Sequence, residues 1–286
     1  MGLFDGVHRG HGAVIRYAVD IANKAPGVEP AVFTFETDTV TSKGKNGVRY
    51  LLSSEVKREM IEAMGVKYIY SPSFMDFRDL SAEEFVDTVL QKKLKAEYVI
   101  CGEDFRFGKG ASGNADMLKR LCDKRGIKVC IVPPVADEKM GQKISSTMIR
   151  ELIEEGKIQE ANELLGYSYC MKLPVAYGHQ IGRTLDFPTI NQYIDKNQVV
   201  PKFGVYASEA EFDGKIYKGV TNIGIKPTVA NTDVPLAETY IIGFEGDLYG
   251  EMVKVSLIKF IRPERKFDGL DELKRQIAYD VKLATE

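Results

Sequence analysis

The chain has 286 residues and carries 39 Lys and Arg against 41 Asp and Glu, for a net charge of -2. Acids and bases are interspersed, which excludes a broad basic surface for nucleic acid or for a membrane and leaves small anions bound at local sites. The length suits two domains of ordinary size, each with its own core.

The four cysteines are isolated from one another, since Cys101, Cys122, Cys130 and Cys170 form no CxxC pair and three of them stand in or beside apolar runs. We therefore expect reduced, mostly buried thiols rather than a disulfide framework or a metal site. No stretch reaches the roughly 18 apolar residues of a membrane span, and no signal peptide precedes the first predicted helix. The sequence thus predicts a cytoplasmic protein.

Short apolar runs alternate with amphipathic stretches along the first half of the chain. The runs predict strands buried on both faces, at residues 31–35, 67–71, 97–102 and 127–132. The stretches between them have helical spacing, at residues 11–24, 53–65, 81–94 and 114–126. This alternation predicts a parallel sheet covered by helices on both sides, with ligands at the carboxyl ends of its strands.

The chain opens with the loop and helix start GLFDGVHRGH, which holds two of its three histidines. His8 and His11 fall on one side of a beginning helix, and Gly10 leaves the backbone open to close approach. Unpaired N–H groups at a helix start bind anions, and two imidazole donors suit the charge that develops when a nucleotide α-phosphate is attacked. The alternatives are ordinary surface histidines or a metal pair, and no Cys or third His completes a metal site.

Two later segments carry further polar groups at predicted ligand-facing positions. CGEDFRFGKG at 101–110 follows the third predicted strand and places Asp104 on the ligand side of the sheet, although it also fits a surface loop with aromatic anchors. KISSTMIRE at 143–151 fits a helix cap as well as a phosphate site. Its hydroxyls and guanidinium stand where they can grip phosphate oxygens, at Ser145, Ser146, Thr147 and Arg150.

The pattern changes after two short predicted helices that end at Gly166. Alternating, β-rich runs follow, separated by turn signals, at residues 171–178, 203–212, 215–224, 237–244 and 252–261. A last helix is predicted at 271–284. A closed or nearly closed small barrel is the economical arrangement because it removes exposed strand edges. We therefore place a domain boundary near residue 166.

The second half offers a candidate cation site and a candidate base. Thr189 and Asn191, in GRTLDFPTIN at 182–191, face the same side of an extended segment because they are two residues apart. Their neutral oxygens suit Mg²⁺, which completes its shell with water and substrate phosphates, although PTxN is also common in turns. Glu238 stands near the start of a predicted strand, as either a solvated edge residue or a base for a hydroxyl nucleophile.

Three segments together, GLFDGVHRGH, GEDFRFGKG and ISSTMIR, resemble the adenylyltransferase module of the prokaryotic bifunctional riboflavin kinase/FAD synthetase family. In that family the module joins FMN to ATP, giving FAD and pyrophosphate without a covalent enzyme intermediate. The resemblance implies that His8 and His11 contact the ATP phosphates and that Gly10 lets the nucleotide lie against the helix start. It also implies that Asp104 helps to place the flavin or the adenine. The phosphates would be held by Ser145, Ser146, Thr147 and Arg150.

The later segments GRTLDFPTIN, GVTNIGIKPT, AETYIIGFEGDLYG and IRPERKFDGLDELKRQIAYD resemble the riboflavin kinase module that follows in the same family. The resemblance implies that Thr189 and Asn191 bind Mg²⁺ and ATP phosphate. It assigns Glu238 as the base that takes the proton from the ribityl 5′-hydroxyl of riboflavin as this oxygen attacks the γ-phosphate. Asn222 and Arg262 are assigned to the flavin. The loop over the nucleotide would be shaped by Gly178, Gly182, Arg183 and Thr184.

The two resemblances cover nearly the whole chain and imply its architecture. Residues 1–166 are expected to form a Rossmann-like α/β nucleotidylyltransferase domain, the FMN adenylyltransferase (FAD synthetase). Residues 167–286 are expected to form a small antiparallel β-barrel riboflavin kinase domain with a C-terminal helix. The implied ligands are riboflavin, FMN, FAD and ATP, with Mg²⁺ as cofactor and no nucleic-acid or membrane partner. A homo-oligomer is left open.

Three features depart from the family pattern. The strand that normally feeds the FDGVH loop has no counterpart ahead of Met1, which predicts a sheet without its first strand. The segment TFETDT at 34–39 stands where the family commonly has a His-Pro pair near the flavin. Asp186 and Ile190 replace the usual Gly and Ala of the kinase motif. The first two departures concern the adenylyltransferase half only.

The sequence leaves alternative functions open. The leading hypothesis is a two-activity enzyme that converts riboflavin to FMN and FMN to FAD. A second is a riboflavin kinase whose first domain is impaired by the missing strand, and a third is a flavin-nucleotide-binding protein without turnover. Glu238 and the His8–His11 pair argue against the third, because a pure binder needs no placed base. A pantetheine-phosphate nucleotidyltransferase would fit HRGH but leaves the second half unexplained.

Overall fold

The computed structural model describes residues 1–37, 49–139, 141–177, 187–227 and 233–286. They form two compact units, residues 1–146 and residues 147–286. Within these described ranges, no helix combines the length and the apolar character needed to cross a membrane. No disulfide joins the four cysteines, of which Cys101, Cys122 and Cys170 are buried and Cys130 is partly buried.

Strands and helices alternate through the first unit, as predicted. Its elements are α1 (Arg9–Lys24), β1 (Ala31–Phe33), α2 (Ser54–Ala63), β2 (Tyr68–Tyr70), α3 (Ala82–Phe85), β3 (Tyr98–Gly102), α4 (Ala115–Asp123) and β4 (Lys128–Val132). Side-chain oxygens cap three of the helices: those of Ser53 for α2, Ser81 for α3 and Asn114 for α4. The chain leaves α3 directly into a π-helical segment, Val86–Lys93.

The strands of the first unit form two separate parallel pairs. Residue Ala31 of β1 lies opposite Tyr68 of β2, and Tyr98 of β3 lies opposite Lys128 of β4. The outer strands β2 and β4 are partly exposed, so the expectation of burial on both faces was wrong for them. The core cluster of this unit buries Phe33 of β1 and Val99 and Cys101 of β3, whereas β2 and β4 contribute only the partly buried Tyr70, Val129 and Ile131.

The first two residues of the sequence lie between the two strand pairs. The backbone nitrogen of Gly2 donates to the carbonyl of Phe33 (3.2 Å), and that of Met1 donates to the carbonyl of Ile100 (2.7 Å). No strand precedes α1 in the described residues, so β1 and β3 are not paired through a strand between them. The predicted parallel α/β class is therefore confirmed, but its strands form two separate pairs instead of one continuous sheet.

The second unit begins with two helices and continues as an antiparallel sheet. Its elements are α5 (Ser146–Glu155), α6 (Ile158–Leu165), β5 (Cys170–Pro174), β6 (Thr189–Tyr193), β7 (Gly204–Phe212), β8 (Lys215–Pro227), β9 (Asp233–Ile241), β10 (Met252–Arg262) and α7 (Leu270–Thr285). The strand order is β5-β10-β7-β8-β9-β6. The backbone nitrogen of Ala176, just after β5, donates to the carbonyl of Asn191 in β6 (2.7 Å), which brings the two edges together. The predicted small barrel is confirmed as nearly closed.

Hydrogen bonds of two buried polar side chains hold the strands and the last helix of this barrel together. Gln192 is fully buried, and its amide nitrogen donates to the carbonyls of Leu173 (2.6 Å) and Val253 (2.8 Å), joining β6 to β5 and β10. Asp280 of α7 is 1% exposed and accepts from Arg262 at the end of β10, with Nη2 2.7 Å from Oδ2. These contacts hold the closing strand and the last helix against the same sheet.

Replacing Gln192 by Leu should destabilise the second unit, because two buried carbonyls lose a donor at a cost of about 1–3 kcal/mol. Urea unfolding followed by circular dichroism would measure the loss, and hydrogen exchange would place it in β5 and β6. Gln159→Leu on the exposed face of α6 is the matched control and should leave stability within about 0.5 kcal/mol. Equal stabilities for the two variants would contradict a closing role for Gln192.

Candidate active sites

A tight, strained turn leads into α1. Val7 donates its backbone N–H to the carbonyl of Phe4 (3.1 Å), and both residues have positive φ, 37° and 51°. Gly6 between them has φ of 80°, and a Cβ there would lie 2.5 Å from a methyl carbon of Leu51. Such strain is kept only where the surroundings hold it, commonly at ligand sites.

Asp5 anchors this turn. Its side chain is buried and accepts from the backbone N–H of Leu51 (2.9 Å), while its carbonyl accepts from the hydroxyl of Ser146 (2.8 Å). Ser146, predicted to hold a phosphate, is therefore brought directly to the turn. The sequence analysis did not select Asp5, although Asp before Gly is a typical turn signal.

The two N-terminal histidines form a stacked pair at the start of α1. His8 is the N-cap residue, and its Nδ1 accepts from the backbone N–H of His11 (3.3 Å). Because Nδ1 is an acceptor, a neutral His8 carries its proton on Nε2. The two rings stack with centroids 3.6 Å apart. A Cβ at Gly10 would stand 3.1 Å from Cε1 of His8, so glycine makes room for this ring.

Both imidazoles are held neutral. Burial first, and then the charge of the nearby Lys143, lower the pKa of His8 to about 4, while Asp104 opposes them. The pKa of His11 also lies well below its usual range, and burial is the largest cause. The charges of His8, Lys57 and Lys143 act in the same direction. The Nδ1 atom of His11 is buried with no hydrogen-bond partner among the described residues, an exception of the kind found at functional sites.

Lys143 joins the second and third predicted segments. Its ammonium group pairs with the exposed carboxylate of Asp104, so two segments 39 residues apart meet beside the histidines. The sequence analysis named Asp104 and missed Lys143, which opens KISSTMIRE and could have been selected as a cation ahead of the hydroxyl run. Thr147 is exposed and Arg150 half-buried on α5, and both belong to the second compact unit.

An aromatic cluster follows the carboxyl end of β1. The ring of Phe33 contacts those of Phe35, Tyr70, Phe77 and Phe85, with centroids 5.2 to 5.8 Å apart. Edge-to-face contacts dominate; Phe33 and Phe85 are buried in the core, while Phe35, Tyr70 and Phe77 are only partly buried. The sequence analysis missed this cluster because its members come from four separate segments.

In the second unit, strand register gathers three predicted residues in one row. Asn191 of β6 lies opposite Glu238 of β9, and Glu238 lies opposite Asn222 of β8. Residues directly opposite one another share a face, with Cβ atoms about 5 Å apart. Thr189 lies on the same face as Asn191, two residues earlier. A candidate base and the candidate cation ligands therefore meet on one surface of the barrel.

Glu264 extends this row and was missed by the sequence analysis. The amide nitrogen of Asn222 donates to its Oε1 (3.2 Å). A Cβ at Gly224 would lie 2.3 Å from the same oxygen, so only glycine permits this approach. A carboxylate following β10 thus orients an amide that is adjacent to Glu238.

A cavity of about 140 Å³ opens beside Thr189 and Asn191, with Val175, Phe244 and Tyr249 among its lining residues. The predicted nucleotide loop lies outside the described residues, namely Gly178, Gly182, Arg183 and Thr184 together with Asp186.

Arg262, assigned to the flavin, is engaged in a structural ion pair. Nε and Nη2 of its guanidinium donate to the buried Asp280, and Nη1 donates to the carbonyl of Pro263 (3.1 Å). Its observed contacts therefore join β10 to α7.

Two family models match the chain in succession and together cover most of it. Residues 1–148 match FAD synthetase, and residues 165–286 match riboflavin kinase. A "Bifunctional riboflavin kinase/FMN adenylyltransferase" of Listeria monocytogenes is 38% identical over 283 residues, covering 98% of this chain and 88% of the relative. The chain belongs to the bifunctional riboflavin kinase/FMN adenylyltransferase family. The order of its two modules, predicted from motifs, is thereby confirmed.

Other relatives agree over the full length. A relative of the same name from Bacillus subtilis is 36% identical to this chain. The aligned region covers 98% of this chain and 89% of the relative. A crystal structure described as a macrolide-efflux protein from Streptococcus pneumoniae superposes with a TM-score of 0.87 at 32% identity, covering all of this chain and 92% of that one. The fold of this family member is thus shared along its whole length.

The buried histidines predict a pH-dependent stability of the first unit. In an NMR titration, His8 should have its midpoint near pH 4, against 6.5 when unfolded. The unfolded chain binds more protons between these values, so the free energy of unfolding should rise with pH from about 4 to 6.5 and then level off. Single His→Gln variants assign the three histidine signals. A His8 midpoint at 6.5 would contradict the buried, stacked geometry.

Proposed function

We propose that this chain phosphorylates riboflavin to FMN with its second unit and adenylylates FMN to FAD with its first. The observation that carries the proposal is that each family match covers one unit, and each unit assembles its own polar site from distant segments. We assign residues 1–166 to the adenylyltransferase and 167–286 to the kinase. The gap between the two family matches, residues 149–164, spans most of α5 and α6, and this assignment places both helices with the adenylyltransferase although they lie in the second compact unit.

In the adenylyltransferase step, a phosphate oxygen of FMN attacks the α-phosphorus of ATP. The bond from that phosphorus to the bridging oxygen breaks, and pyrophosphate leaves with the electron pair. The neutral His8 donates from Nε2 to the α-phosphate oxygens, His11 assists it, and the cation of Lys143 offsets the developing charge. Gly10 lies at the helix start where the nucleotide approaches. The remaining phosphate contacts come from Ser145, Ser146, Thr147 and Arg150.

The flavin of this first site lies against the aromatic cluster around Phe33. An isoalloxazine ring is flat and largely apolar, and stacked or edge-on aromatic contacts suit it. Asp104, paired with Lys143, is placed at the polar edge of this region and helps to position the flavin or adenine. The first site thus acts by positioning the flavin and the nucleotide, and it requires no covalent intermediate.

In the kinase step, the 5′-hydroxyl of riboflavin attacks the γ-phosphorus of ATP. Glu238 takes the hydroxyl proton, the bond to the β–γ bridging oxygen breaks, and ADP leaves. Asn222, oriented by Glu264, lies beside Glu238 and holds the flavin chain. Arg262 supports the same end of the site. The nucleotide is covered by the loop that contains Gly178, Gly182, Arg183 and Thr184.

The donor set of β6 fits Mg²⁺. Thr189 and the buried Asn191 present neutral oxygens on the face that carries Glu238, beside the 140 Å³ cavity. Mg²⁺ accepts a few such protein ligands and takes its other ligands from water and phosphate. Bound there with ATP, the ion offsets phosphate charge, while the protein supplies the base and the orientation. We propose small-molecule partners only and a cytoplasmic location, where ATP is abundant.

One observation favours a second candidate function, riboflavin kinase alone. Among the described residues, β1 and β3 share no strand ladder, and the bonds of Met1 and Gly2 lie between them, so the sheet that carries the adenylyltransferase site is divided. Incubation of the purified chain with riboflavin, ATP and Mg²⁺, followed by chromatography, separates the candidates. FMN followed by FAD supports both activities. FMN alone supports the kinase candidate, and bound flavin without any product contradicts both.

His8→Asn should abolish FAD formation while sparing FMN formation. Asn keeps the N-cap acceptor of α1 but lacks the Nε2 donor, so the expected loss is about 10²–10³-fold in kcat. The assay supplies FMN and ATP and follows FAD, and riboflavin phosphorylation by the same protein is the internal control. FAD formation at the wild-type rate would contradict the donor role of His8.

Glu238→Gln should show the reverse selectivity. Removing the base is expected to slow FMN formation by about 10²–10⁴-fold while leaving the conversion of supplied FMN to FAD unchanged. Glu160→Gln, an exposed acid on α6, is the matched control. An unchanged rate of riboflavin phosphorylation would show that Glu238 is not the base.

A further inference from the structure

A buried lysine, Lys57, lies in the first unit, and the site described so far involves it only through the effect of its charge on His11. It belongs to the first turns of α2, and the whole residue is 2% exposed. Its Nζ donates to the carbonyl of Phe35 (2.6 Å) and lies 3.5 Å from both the carbonyl of Leu3 and Oγ1 of Thr34. A buried ammonium group is costly, and it is tolerated when oxygen atoms surround it.

These oxygens belong to two segments that are about 30 residues apart in the sequence. Leu3 is part of the turn that leads to His8, while Thr34 and Phe35 follow β1. The hydroxyl of Thr34 itself donates to the carbonyl of Leu3 (2.8 Å). The turn that leads to His8 is called the histidine turn below. Lys57 and Thr34 both hydrogen-bond to its Leu3 carbonyl and so connect this turn to the carboxyl end of β1.

Lys57 also acts on His11 through its charge. Three charged or titratable groups face His11 from different parts of the unit: His8 from the turn, Lys57 from α2 and Lys143 from the segment before α5. Each lowers the pKa of His11, in addition to the effect of burial. Lys143 is exposed and pairs with Asp104, whereas Lys57 is enclosed by protein.

We propose that Lys57 is a positioning residue for FAD formation, which connects the histidine turn to the end of β1 and places a buried positive charge where it acts on His11. This inference rests on the adenylyltransferase function proposed above. It assigns a role to a residue of α2 that touches no substrate and acts only through the turn and through His11.

Lys57→Met tests the proposal because it removes the charge and keeps the length of the side chain. FAD formation from supplied FMN should fall about 10²-fold, the size expected when a reacting geometry loosens slightly. The NMR midpoint of His11 should move upward, and the acidic limb of the pH profile for FAD formation should move upward with it. If Lys57→Met does not fold, Lys57→Gln takes its place, since it keeps a donor for the carbonyl of Phe35 without the charge.

Two matched variants separate the hydrogen-bonded connection from the charge. Thr34→Val removes one of these hydrogen bonds and leaves the charge, so it should slow FAD formation without moving the His11 titration. Lys67→Met removes a lysine that is exposed and paired with Glu29, and it should change neither quantity. Riboflavin phosphorylation, which occurs in the other unit, should be equal in all variants.

The His11 titration is measured on the ligand-free protein and so does not depend on activity. If the wild-type chain forms no FAD, the proposed function fails while the titration still reports on Lys57. An upward shift of the His11 midpoint in Lys57→Met, absent in Thr34→Val, supports the proposal. An unmoved midpoint overturns it, as does an unchanged rate of FAD formation in a Lys57→Met protein whose wild-type parent is active.

Discussion

The hydrogen bond from the backbone N–H of His11 to Nδ1 of His8 is the contact on which the first site depends. It caps α1, and it fixes the proton of a neutral His8 on Nε2, where a phosphate oxygen can accept it. It also brings the two rings into a stack that admits only glycine at position 10. Burial lowers the pKa of both rings, so that in the proposed reaction they serve as hydrogen-bond donors rather than as cations. The cationic contribution comes from Lys143 instead.

The second site depends on a different constraint, the register of an antiparallel sheet. Asn191, Glu238 and Asn222 lie in three strands and meet because each stands directly opposite the next. A shift of one residue in any of these strands would turn its polar group to the opposite face. The closing bonds of Gln192 to β5 and β10 therefore serve the site as well as the fold, because they fix β6 in this register.

The two units handle charge in opposite ways that suit their proposed reactions. The first surrounds a pair of neutral imidazoles with Lys57 and Lys143, one enclosed and one paired with an exposed Asp104. This arrangement suits a step in which negative charge grows on a phosphate and no proton needs to be removed. The second places the carboxylate of Glu238 among amides, as expected where a hydroxyl must lose its proton.

The sequence by itself determined the alternation of strands and helices in the first half, five of the six strands of the second half, and His8, His11 and Glu238 as candidate site residues, because periodicity and local turn chemistry are carried by neighbouring residues. It did not predict β6 as a strand. It could not reveal Asp5, Lys57, Lys143 or Glu264 as candidate site residues, because the contact that brings each of them to a site is made with a residue far along the chain. Nor could it show that β2 and β4 are half-exposed edges or that the strands divide into two pairs. Only the tertiary structure decides those points, because burial, charge and strand pairing depend on which distant segments meet in space.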